Sequence, residues 1–284
     1  MGALRDKMER DMIVRGLSEQ TRESYLRAVR GLTSHYHRSP DQISQEQIQA
    51  YLVHLYVERK RAWSTCNVIV HALRFFYHTT LDSERTHFTI PSARRPSRLP
   101  DILSREEVAR LFVNASTPQH RTMLVTAYAT GLRVSELVRL KLTDIDADRH
   151  TIRVTQGKGA RDRYALLSDR LLTELRQYWR QYRPAIYLFP SSRAERPMSI
   201  GVAQRAYTEA KIRARIVKSG GIHALRHAFA THMLEAGAPV HTIQRLLGHE
   251  SIRTTLRYIH LAQHDLAGAK SPLDLLEVQP GPLA

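Results

Sequence analysis

The chain has a single cysteine and no long hydrophobic run. Cys66 stands alone in 284 residues, which excludes an internal disulfide and any zinc finger built on cysteine pairs. No stretch approaches the roughly 18 apolar residues that a membrane-spanning helix needs. The N-terminal residues MGALRDKMERDM also lack the apolar centre of a secretory signal peptide. We therefore expect no membrane-spanning segment and a reducing, cytoplasmic location.

Acidic residues are too few to balance the basic ones. The chain holds 43 Lys and Arg against 27 Asp and Glu, which gives a formal net charge of +16 and a sequence pI of about 10.4. Such an excess repels itself, so it suits a polyanionic partner better than it serves folding. Nucleic acid is the first candidate and an anionic membrane surface is the second. The 284 residues are enough for two domains of ordinary size. With 42% hydrophobic residues, the chain can also form an apolar core despite its charge.

The first 80 residues carry the pattern of amphipathic helices. LSEQTRESYLRAVRGLTSHY begins with Ser18 as an N-cap, with Thr21 as a competing start, and ISQEQIQAYLVHLYVER begins at Ser44. WSTCNVIVHALRFFYHTTL offers Ser64 as the cap of a further helix. Three or four such helices predict a small helical bundle over residues 1–81.

A basic, proline-rich stretch follows this bundle. Its prolines forbid a continuous helix across residues 82–103, so we expect a linker there. Arg94, Arg95 and Arg98 allow two interpretations, a solvated hinge or a strap along a phosphate backbone, and composition does not separate them.

From Ser104 onward the pattern is mostly helical with one hairpin. Ser104 and Glu107 have the spacing of a capping box. In RTMLVTAYATGLRVSELVRL a glycine separates two helices, and TIRVTQGKGARDRYALL alternates like two strands around a glycine-rich turn. Further helices follow, one of them ending near Gly237. The chain is therefore predicted to be mostly α with a small antiparallel β-sheet.

Several polar side chains stand beside glycines, at helix ends or on one helix face. Taken singly, each has an ordinary explanation, such as a surface ion pair, a solvated lysine, a structural histidine or a packed tyrosine. Their significance comes from the order in which they occur in one half of the chain. They are Arg133, Glu136, Lys158, His223, Arg226, His249 and Tyr258.

The motifs that contain these residues resemble those of a known family. GLRVSEL, QGKGARDR, HALRHAFATHML, LLGH and RYIH are similar, in this order, to the motifs of the tyrosine recombinase (phage integrase) family, nearest its Xer and integron-integrase branch. LSEQTRESYLRAVRGL resembles the family's helical core-binding domain, so the likeness runs from about Leu17 to His260. The short span before His223 lacks the long insertion of integron integrases, which favours a Xer-sized enzyme or a mobile-element integrase.

The resemblance implies four parts. Residues 1–81 would form an N-terminal SAM-like, helical core-binding domain for DNA, and residues 82–103 a basic linker. Residues 104–264 would form the catalytic tyrosine recombinase domain. The tail, residues 265–284, contains the apolar run LDLLEV. We expect it to dock on a neighbouring protomer, and the alternative is that it folds back on its own domain.

The resemblance also implies a reaction. The hydroxyl of Tyr258 would attack a DNA phosphodiester, giving a 3′-phosphotyrosyl link and a free 5′-hydroxyl. Arg133 and Arg226 match the family's two arginines. Guanidinium groups suit the charge of the pentacoordinate phosphorane because they can donate two hydrogen bonds to phosphate.

The remaining matched residues would move protons or hold other groups in place. His223 and His249 would donate hydrogen bonds or handle protons, and Lys158 would protonate the departing 5′-oxygen as general acid. Glu136 would hold Arg133 or a histidine in position. In this scheme strand exchange passes through a Holliday junction and needs no metal, ATP or other cofactor.

The implied partner is double-stranded DNA with an inverted-repeat recombination site. The expected assembly is a homotetramer on that DNA, with a monomer as one option for the free protein. The expected location is the cytoplasm, at the nucleoid, with no membrane partner. SIGVAQRAYTEAKIRARI is the candidate for base contacts, through Gln204, Arg205 and Lys211, with ordinary surface charge as an equal alternative.

Three other functions stay open at this point. A helical DNA-binding protein without catalysis explains the charge equally well, and a type IB topoisomerase-like enzyme would share the catalytic residues. A zinc protein could use His223 and His227 at i, i+4. However, Ala224 occupies the place of the glutamate in H-E-x-x-H, and Arg226 would repel a cation.

Overall fold

The computed structural model of the protein describes residues 2–83, 87–90, 101–155, 162–249, 251–256 and 258. The chain divides into two compact units, Met1–Ser97 and Arg98–Ala284, each with its own apolar core. None of the described helices is both long and apolar enough to cross a membrane. Some residues named above lie outside the described part of the chain: Arg94, Arg95, Arg98, Lys158 and the tail 265–284.

The first unit is a helical bundle in which serines fix two helix starts. The Ser18 hydroxyl accepts a hydrogen bond from the Thr21 amide at 3.3 Å. Ser44 forms a full capping box, because the Gln47 side chain accepts in return from the Ser44 amide at 3.0 Å. The elements are α1 (Gly2–Val14), α2 (Glu19–Tyr36), α3 (Gln45–Val53) and α4 (Trp63–Phe75), with a 3-10 turn at Pro40–Gln42 and π-helical turns at His54–Glu58 and Phe76–Thr80.

Ser64 does not cap a helix, so that prediction was wrong. α4 already begins at Trp63, and its N-cap residue, Ala62, makes no side-chain capping bond. The Ala62 carbonyl accepts from the Cys66 amide at 3.1 Å, and Cys66 is fully buried in the bundle. Packing of the first turn therefore sets the start of this helix without a side-chain cap.

The described residues after α4 pack back onto the bundle. Phe88 is fully buried in the first core, and its carbonyl accepts from Arg74 Nη2 at 2.9 Å. The Gln49 side chain makes two 2.9 Å hydrogen bonds with the main chain of Thr89. Residues 87–90, within the expected linker, thus contribute to the core of the first unit.

The second unit is a helical domain with a three-stranded antiparallel sheet of order β1-β2-β3 among the described residues. The β2–β3 hairpin has the predicted pairing, with Val154 opposite Arg163. β1 was not predicted, because a two-residue strand has no alternation to detect. The elements are β1 (Ile145–Asp146), β2 (Thr151–Val154), β3 (Arg163–Leu166), α5 (Arg105–Val113), α6 (Pro118–Thr130), α7 (Val134–Leu137), α8 (Asp169–Tyr182), α9 (Ile200–Arg213), α10 (His223–Glu235), α11 (Val240–Leu247) and α12 (Ile252–Leu256), with a 3-10 turn at Leu142–Asp144.

Sequence and structure agree on the fold class, mostly α with a small antiparallel sheet. The capping box at Ser104 is confirmed: Glu107 N donates to Ser104 Oγ at 3.2 Å, and Ser104 N donates to Glu107 Oε2 at 2.7 Å. α10 ends at Glu235, and Gly237 follows in the left-handed region with φ +82°. These local signals were readable because each involves residues only a few positions apart.

Two helices of the second unit end at glycines that allow close packing. Gly131 ends α6 with φ +62°, and Gly248 ends α11 with φ +63°. A Cβ at Gly131 would lie 2.5 Å from Phe229 Cδ1 and 2.9 Å from Leu247 Cδ2, and a Cβ at Gly248 would lie 2.7 Å from Arg163 Cδ. Both positions therefore need glycine for backbone conformation and for space.

Gly131→Ala should destabilise the second unit. The left-handed conformation alone costs an alanine about 1–2 kcal/mol, and the overlap with Phe229 adds to this. Urea unfolding followed by Trp179 fluorescence measures the effect in a Trp63→Phe background, since these are the chain's two tryptophans. Gly201→Ala is the control, because a Cβ there meets only Ser199 Oγ at 3.9 Å, at the start of α9. Equal unfolding midpoints for both variants would contradict the expectation.

Candidate active site

Arg226 joins the C-terminal ends of α6 and α11. Its side chain comes from the first turn of α10, and the residue is only 2% exposed. Nη1 donates to the Gly131 carbonyl and Nη2 to the Leu247 carbonyl, each at 2.7 Å. The last carbonyls of a helix have no partner within it and carry the negative end of its dipole, so they stabilise a buried guanidinium. Burial, and then the charge of Arg133, lower the pKa of Arg226 to about 10, which leaves it charged at neutral pH.

Arg133 and Arg163 bind the same turn of the chain. Arg133 Nη2 donates to the Gly248 carbonyl at 3.3 Å, and Arg163 Nε donates to the Leu246 carbonyl at 3.1 Å. These carbonyls stand on either side of the Leu247 carbonyl that Arg226 binds. Three consecutive carbonyls at the end of α11 therefore hold three guanidinium groups from different parts of the chain.

Glu136 is a carboxylate shared by two of these arginines. Oε1 accepts from Arg133 Nη1 and Arg163 Nη1 at 2.9 Å each, and Oε2 accepts from Arg163 Nη2 at 2.6 Å and from Arg133 N at 2.9 Å. Its side chain is 5% exposed. Burial alone would raise the pKa of Glu136, but Arg163 first and Arg133 next lower it to about 2. The carboxylate thus stays ionised and fixes both guanidinium groups, and the cluster as a whole is net positive.

Tyr258 packs against α10 with its hydroxyl on a histidine. The residue is 4% exposed and belongs to an apolar cluster with Phe229 and Leu247. Its hydroxyl oxygen lies 3.0 Å from His227 Nδ1. Its ring is nearly parallel to that of His249, at 10° with 6.3 Å between the centroids. His249 directly follows Gly248, whose carbonyl binds Arg133, so the phenol stacked on His249 lies beside the arginine cluster.

His223 and His249 complete the cluster as neutral groups. The His223 ring meets the His227 ring edge-on at 4.6 Å, and His249 Nδ1 lies 2.9 Å from Thr255 Oγ1. Desolvation is the main cause that lowers the pKa of each of these two histidines to about 4, and the nearby arginine charges add to it. Both rings are therefore uncharged at neutral pH, beside arginines that remain charged.

The structure brings most of the sequence-predicted site residues together. Lys158 lies outside the described residues, and on α9 Gln204 and Arg205 are exposed while Lys211 is half-buried. Among the described residues, no group of three or more His, Cys, Asp and Glu could hold a metal ion. The residues that meet are Arg133, Glu136, His223, Arg226, His249 and Tyr258.

Sequence reasoning missed two members of the cluster, Arg163 and His227. Arg163 stands within QGKGARDR, but a strand pattern gives no reason to single it out. His227 was considered only as a zinc ligand. The available signal was its spacing, because His223, Arg226 and His227 at i, i+3 and i+4 share one face of α10.

Glu136→Gln should destabilise the second unit at neutral pH and flatten its acid sensitivity. The pKa of the Glu136 carboxyl is about 2 in the folded chain, against an ordinary 4.5. At pH values above 4.5 the carboxylate therefore contributes its full stabilisation to the fold. That contribution is lost as the pH falls from about 4.5 towards 2. The difference corresponds to roughly 3 kcal/mol at neutral pH. Urea unfolding, read by Trp179 fluorescence in the Trp63→Phe background across this pH range, measures it.

The control is Glu195→Gln, which alters an exposed carboxyl of the same unit. It should leave both the stability and its pH dependence near those of the parent. The expectation for Glu136 is wrong if the parent and Glu136→Gln lose stability in parallel between pH 4.5 and 2.

The chain is similar to known proteins along most of its length. The phage integrase family matches residues 101–264, and the phage integrase N-terminal SAM-like domain matches residues 4–86. The putative integrase/recombinase y4qK of Sinorhizobium fredii is 43% identical over 277 residues, which cover 97% of this chain and 90% of that protein. Tyrosine recombinase XerA of Thermococcus kodakarensis is 35% identical over 237 residues, covering 80% of this chain and 81% of that one.

A solved structure shares the fold at lower identity. The lambda integrase tetramer bound to a Holliday junction matches with a TM-score of 0.72 and 19% identity, covering 95% of this chain and 79% of that one. At this identity the likeness supports the fold, and the sequence matches carry the family assignment. The chain belongs to the phage integrase family and is a tyrosine-type site-specific recombinase.

Proposed function

We propose that this protein cuts and rejoins duplex DNA through a covalent 3′-phosphotyrosyl intermediate, with Tyr258 as the nucleophile. The observation that carries the proposal is the set of guanidinium groups fixed on consecutive carbonyls beside the Tyr258 phenol. A scissile phosphate placed there would face a net positive charge and a hydroxyl at once.

The arginines supply the electrostatic part of catalysis. A pentacoordinate phosphorane carries extra negative charge on its non-bridging oxygens, and donors that are already oriented stabilise it without reorganisation. Arg226 uses two of its five N–H groups on helix carbonyls, so the others can serve the phosphate. Arg133, held by Glu136, would contribute in the same way. This cationic cluster can do the work that metal ions do at other phosphoryl-transfer sites.

The bonds exchanged are of similar energy, so no ATP is needed. The Tyr258 oxygen bonds to phosphorus, the bond from phosphorus to the 5′-oxygen breaks, and that oxygen takes a proton, which we assign to Lys158 on the family resemblance. Rejoining reverses these steps with the 5′-hydroxyl of another strand. His223 and His249, both neutral at pH 7, would donate hydrogen bonds to the phosphate.

The substrate is double-stranded DNA, in keeping with the net charge of +16. The lambda integrase relative is a tetramer bound to a Holliday junction. We extend that assembly to this chain and propose four protomers exchanging strands at an inverted-repeat site. The exposed Gln204 and Arg205 of α9 support groove contacts by this helix. Residues 1–81 would form the second DNA-binding half, and the 265–284 tail would dock on a neighbour.

Tyr258→Phe should abolish the covalent adduct and leave DNA binding nearly intact, because the ring keeps its packing and only the hydroxyl is lost. The probe is a pool of nicked duplexes with a randomised central sequence. After cleavage the short released strand diffuses away, so it cannot be rejoined and the covalent adduct accumulates. Sequences that wild-type protein retains after denaturing washes define the substrate. Denaturing gels then measure adduct, and gel shift measures binding.

Tyr182→Phe is the matched control, an exposed tyrosine of α8 whose loss of hydroxyl should leave adduct at the wild-type level. An adduct with Tyr258→Phe would identify another nucleophile. If wild-type protein binds duplex but captures no sequence covalently, the non-catalytic DNA-binding alternative is favoured.

Arg226→Lys should lower the rate of adduct formation at least about 100-fold with little change in affinity. An ammonium keeps the charge but lacks the planar set of donors that reaches the Gly131 and Leu247 carbonyls and a phosphate together. Single-turnover rates at saturating DNA measure the effect, with thermal unfolding to verify folding. Arg176→Lys, on an exposed position of α8, is the control. A large loss of DNA affinity at an unchanged rate of adduct formation would show that Arg226 only contacts the DNA backbone.

A further inference from the structure

His227 is in hydrogen-bond contact with the hydroxyl of Tyr258. Its Nδ1 lies 3.0 Å from the tyrosine oxygen, and the two rings are inclined at 49° with 5.6 Å between centroids. His227 follows Arg226 directly on α10, so the backbone that holds the guanidinium on Gly131 and Leu247 also fixes the histidine. No role assigned so far uses this side chain.

The surroundings of His227 favour its neutral form. Within the described part of the chain, the groups that face it are Arg226 on the same helix, the His223 ring edge-on at 4.6 Å, and the phenol of Tyr258, behind which the His249 ring is stacked. Desolvation and then the charge of Arg226 lower the pKa of His227. A neutral imidazole has one unprotonated nitrogen that accepts a hydrogen bond. With its proton on Nε2, His227 would accept the hydroxyl proton of Tyr258 at Nδ1.

We propose that His227 is the general base that takes the hydroxyl proton of Tyr258 as its oxygen attacks phosphorus. This inference rests on the proposed function and adds a residue to it. In cleavage the bond from the tyrosine oxygen to phosphorus forms, the bond to the 5′-oxygen breaks, and the phenol proton moves to Nδ1. In rejoining, His227 returns that proton to the departing phenolate.

The timing of the transfer follows from the acidities. An ordinary phenol is a much weaker acid than a protonated imidazole, so a proton between two such groups rests on the phenol oxygen. The phenol becomes much more acidic as its oxygen bonds to phosphorus, and a base already in contact then accepts the proton. His227 therefore acts in the transition state, and the resting enzyme does not accumulate phenolate.

The test compares His227→Asn with wild-type protein. Asparagine reaches the position of Nδ1 and can hold the tyrosine hydroxyl, but it cannot take its proton. With duplexes captured by wild-type protein, the single-turnover rate of adduct formation is measured from about pH 6 to pH 10. The variant should be at least about 100-fold slower at neutral pH. Its rate should rise about tenfold per pH unit, because hydroxide must now remove the proton, and approach the flatter wild-type profile.

His223→Asn is the matched histidine on the same helix face. It should slow cleavage while keeping the shape of the wild-type pH profile, since His223 is assigned to the phosphate. A His227→Asn defect of constant size at every pH would show that His227 only positions the tyrosine, and an absent defect would show no role. Either result overturns the inference.

A second substrate separates the base from the acid. A 5′-bridging phosphorothiolate gives a thiolate leaving group that needs no proton. It should relieve the defect of Lys158→Ala and leave the His227→Asn defect unchanged. Relief of His227→Asn would assign the histidine to the leaving group and overturn the proposal. If wild-type protein forms no adduct at all, the proposed function itself fails, so the two failures are distinguishable.

A measurement without DNA covers the case in which the variant does not fold. Nitrogen-15 NMR of labelled wild-type protein near neutral pH reports which imidazole nitrogen carries the proton. The inference expects His227 as the Nε2–H tautomer with Nδ1 unprotonated. A proton on Nδ1 would mean that His227 donates to the phenol oxygen, and the proposal would be wrong.

Discussion

The site depends on helix-end carbonyls that bind guanidinium groups. Arg133, Arg163 and Arg226 repel one another, and burial makes that repulsion stronger. This repulsion is offset by carbonyl groups at the C-terminal ends of α6 and α11. The carbonyls of Gly131 and of residues 246–248 accept hydrogen bonds from the guanidinium groups and carry the negative ends of the helix dipoles. Neutral acceptors of this kind hold the arginines without cancelling their charge. A site in which every arginine faced a carboxylate would have little attraction left for phosphate.

Glu136 neutralises only part of the positive charge of the arginine cluster. One carboxylate serves Arg133 and Arg163 together, and Arg226 rests on carbonyl oxygens. Removing one partner from a buried, charged network leaves the other charges uncompensated and strongly destabilises the fold. The stability of the second unit and the electrostatics of its site are therefore coupled through the same side chains.

Local signals made much of the fold predictable. The caps at Ser18, Ser44 and Ser104 and the glycine end of α6 involve residues within one helical turn, so the sequence contains both partners side by side. The start of α4 is different, because its N-cap residue, Ala62, makes no side-chain capping bond, and Cys66 and its neighbours pack into the bundle. The return of Phe88 onto the first core likewise depends on contacts with distant residues such as Arg74.

The site divides in the same way. Residue types and motif order pointed to Arg133, Arg226 and Tyr258, but their partners across the fold were not readable from the sequence. Arg163 reaches Leu246 over 83 positions, and His227 meets Tyr258 over 31. Helical spacing places His227 on the face of Arg226, but only the folded chain shows that this face meets the phenol.

The most direct test of the account is a crystal structure with vanadate bound between the protein and a captured duplex interrupted at the cut. Vanadate adopts the five-coordinate geometry of the reacting phosphorus. We expect vanadium bonded to the Tyr258 oxygen, with Arg133 and Arg226 donating to its equatorial oxygens while Arg226 keeps its bonds to the Gly131 and Leu247 carbonyls. Vanadate bound away from Tyr258, or without contact to these two arginines, would contradict it.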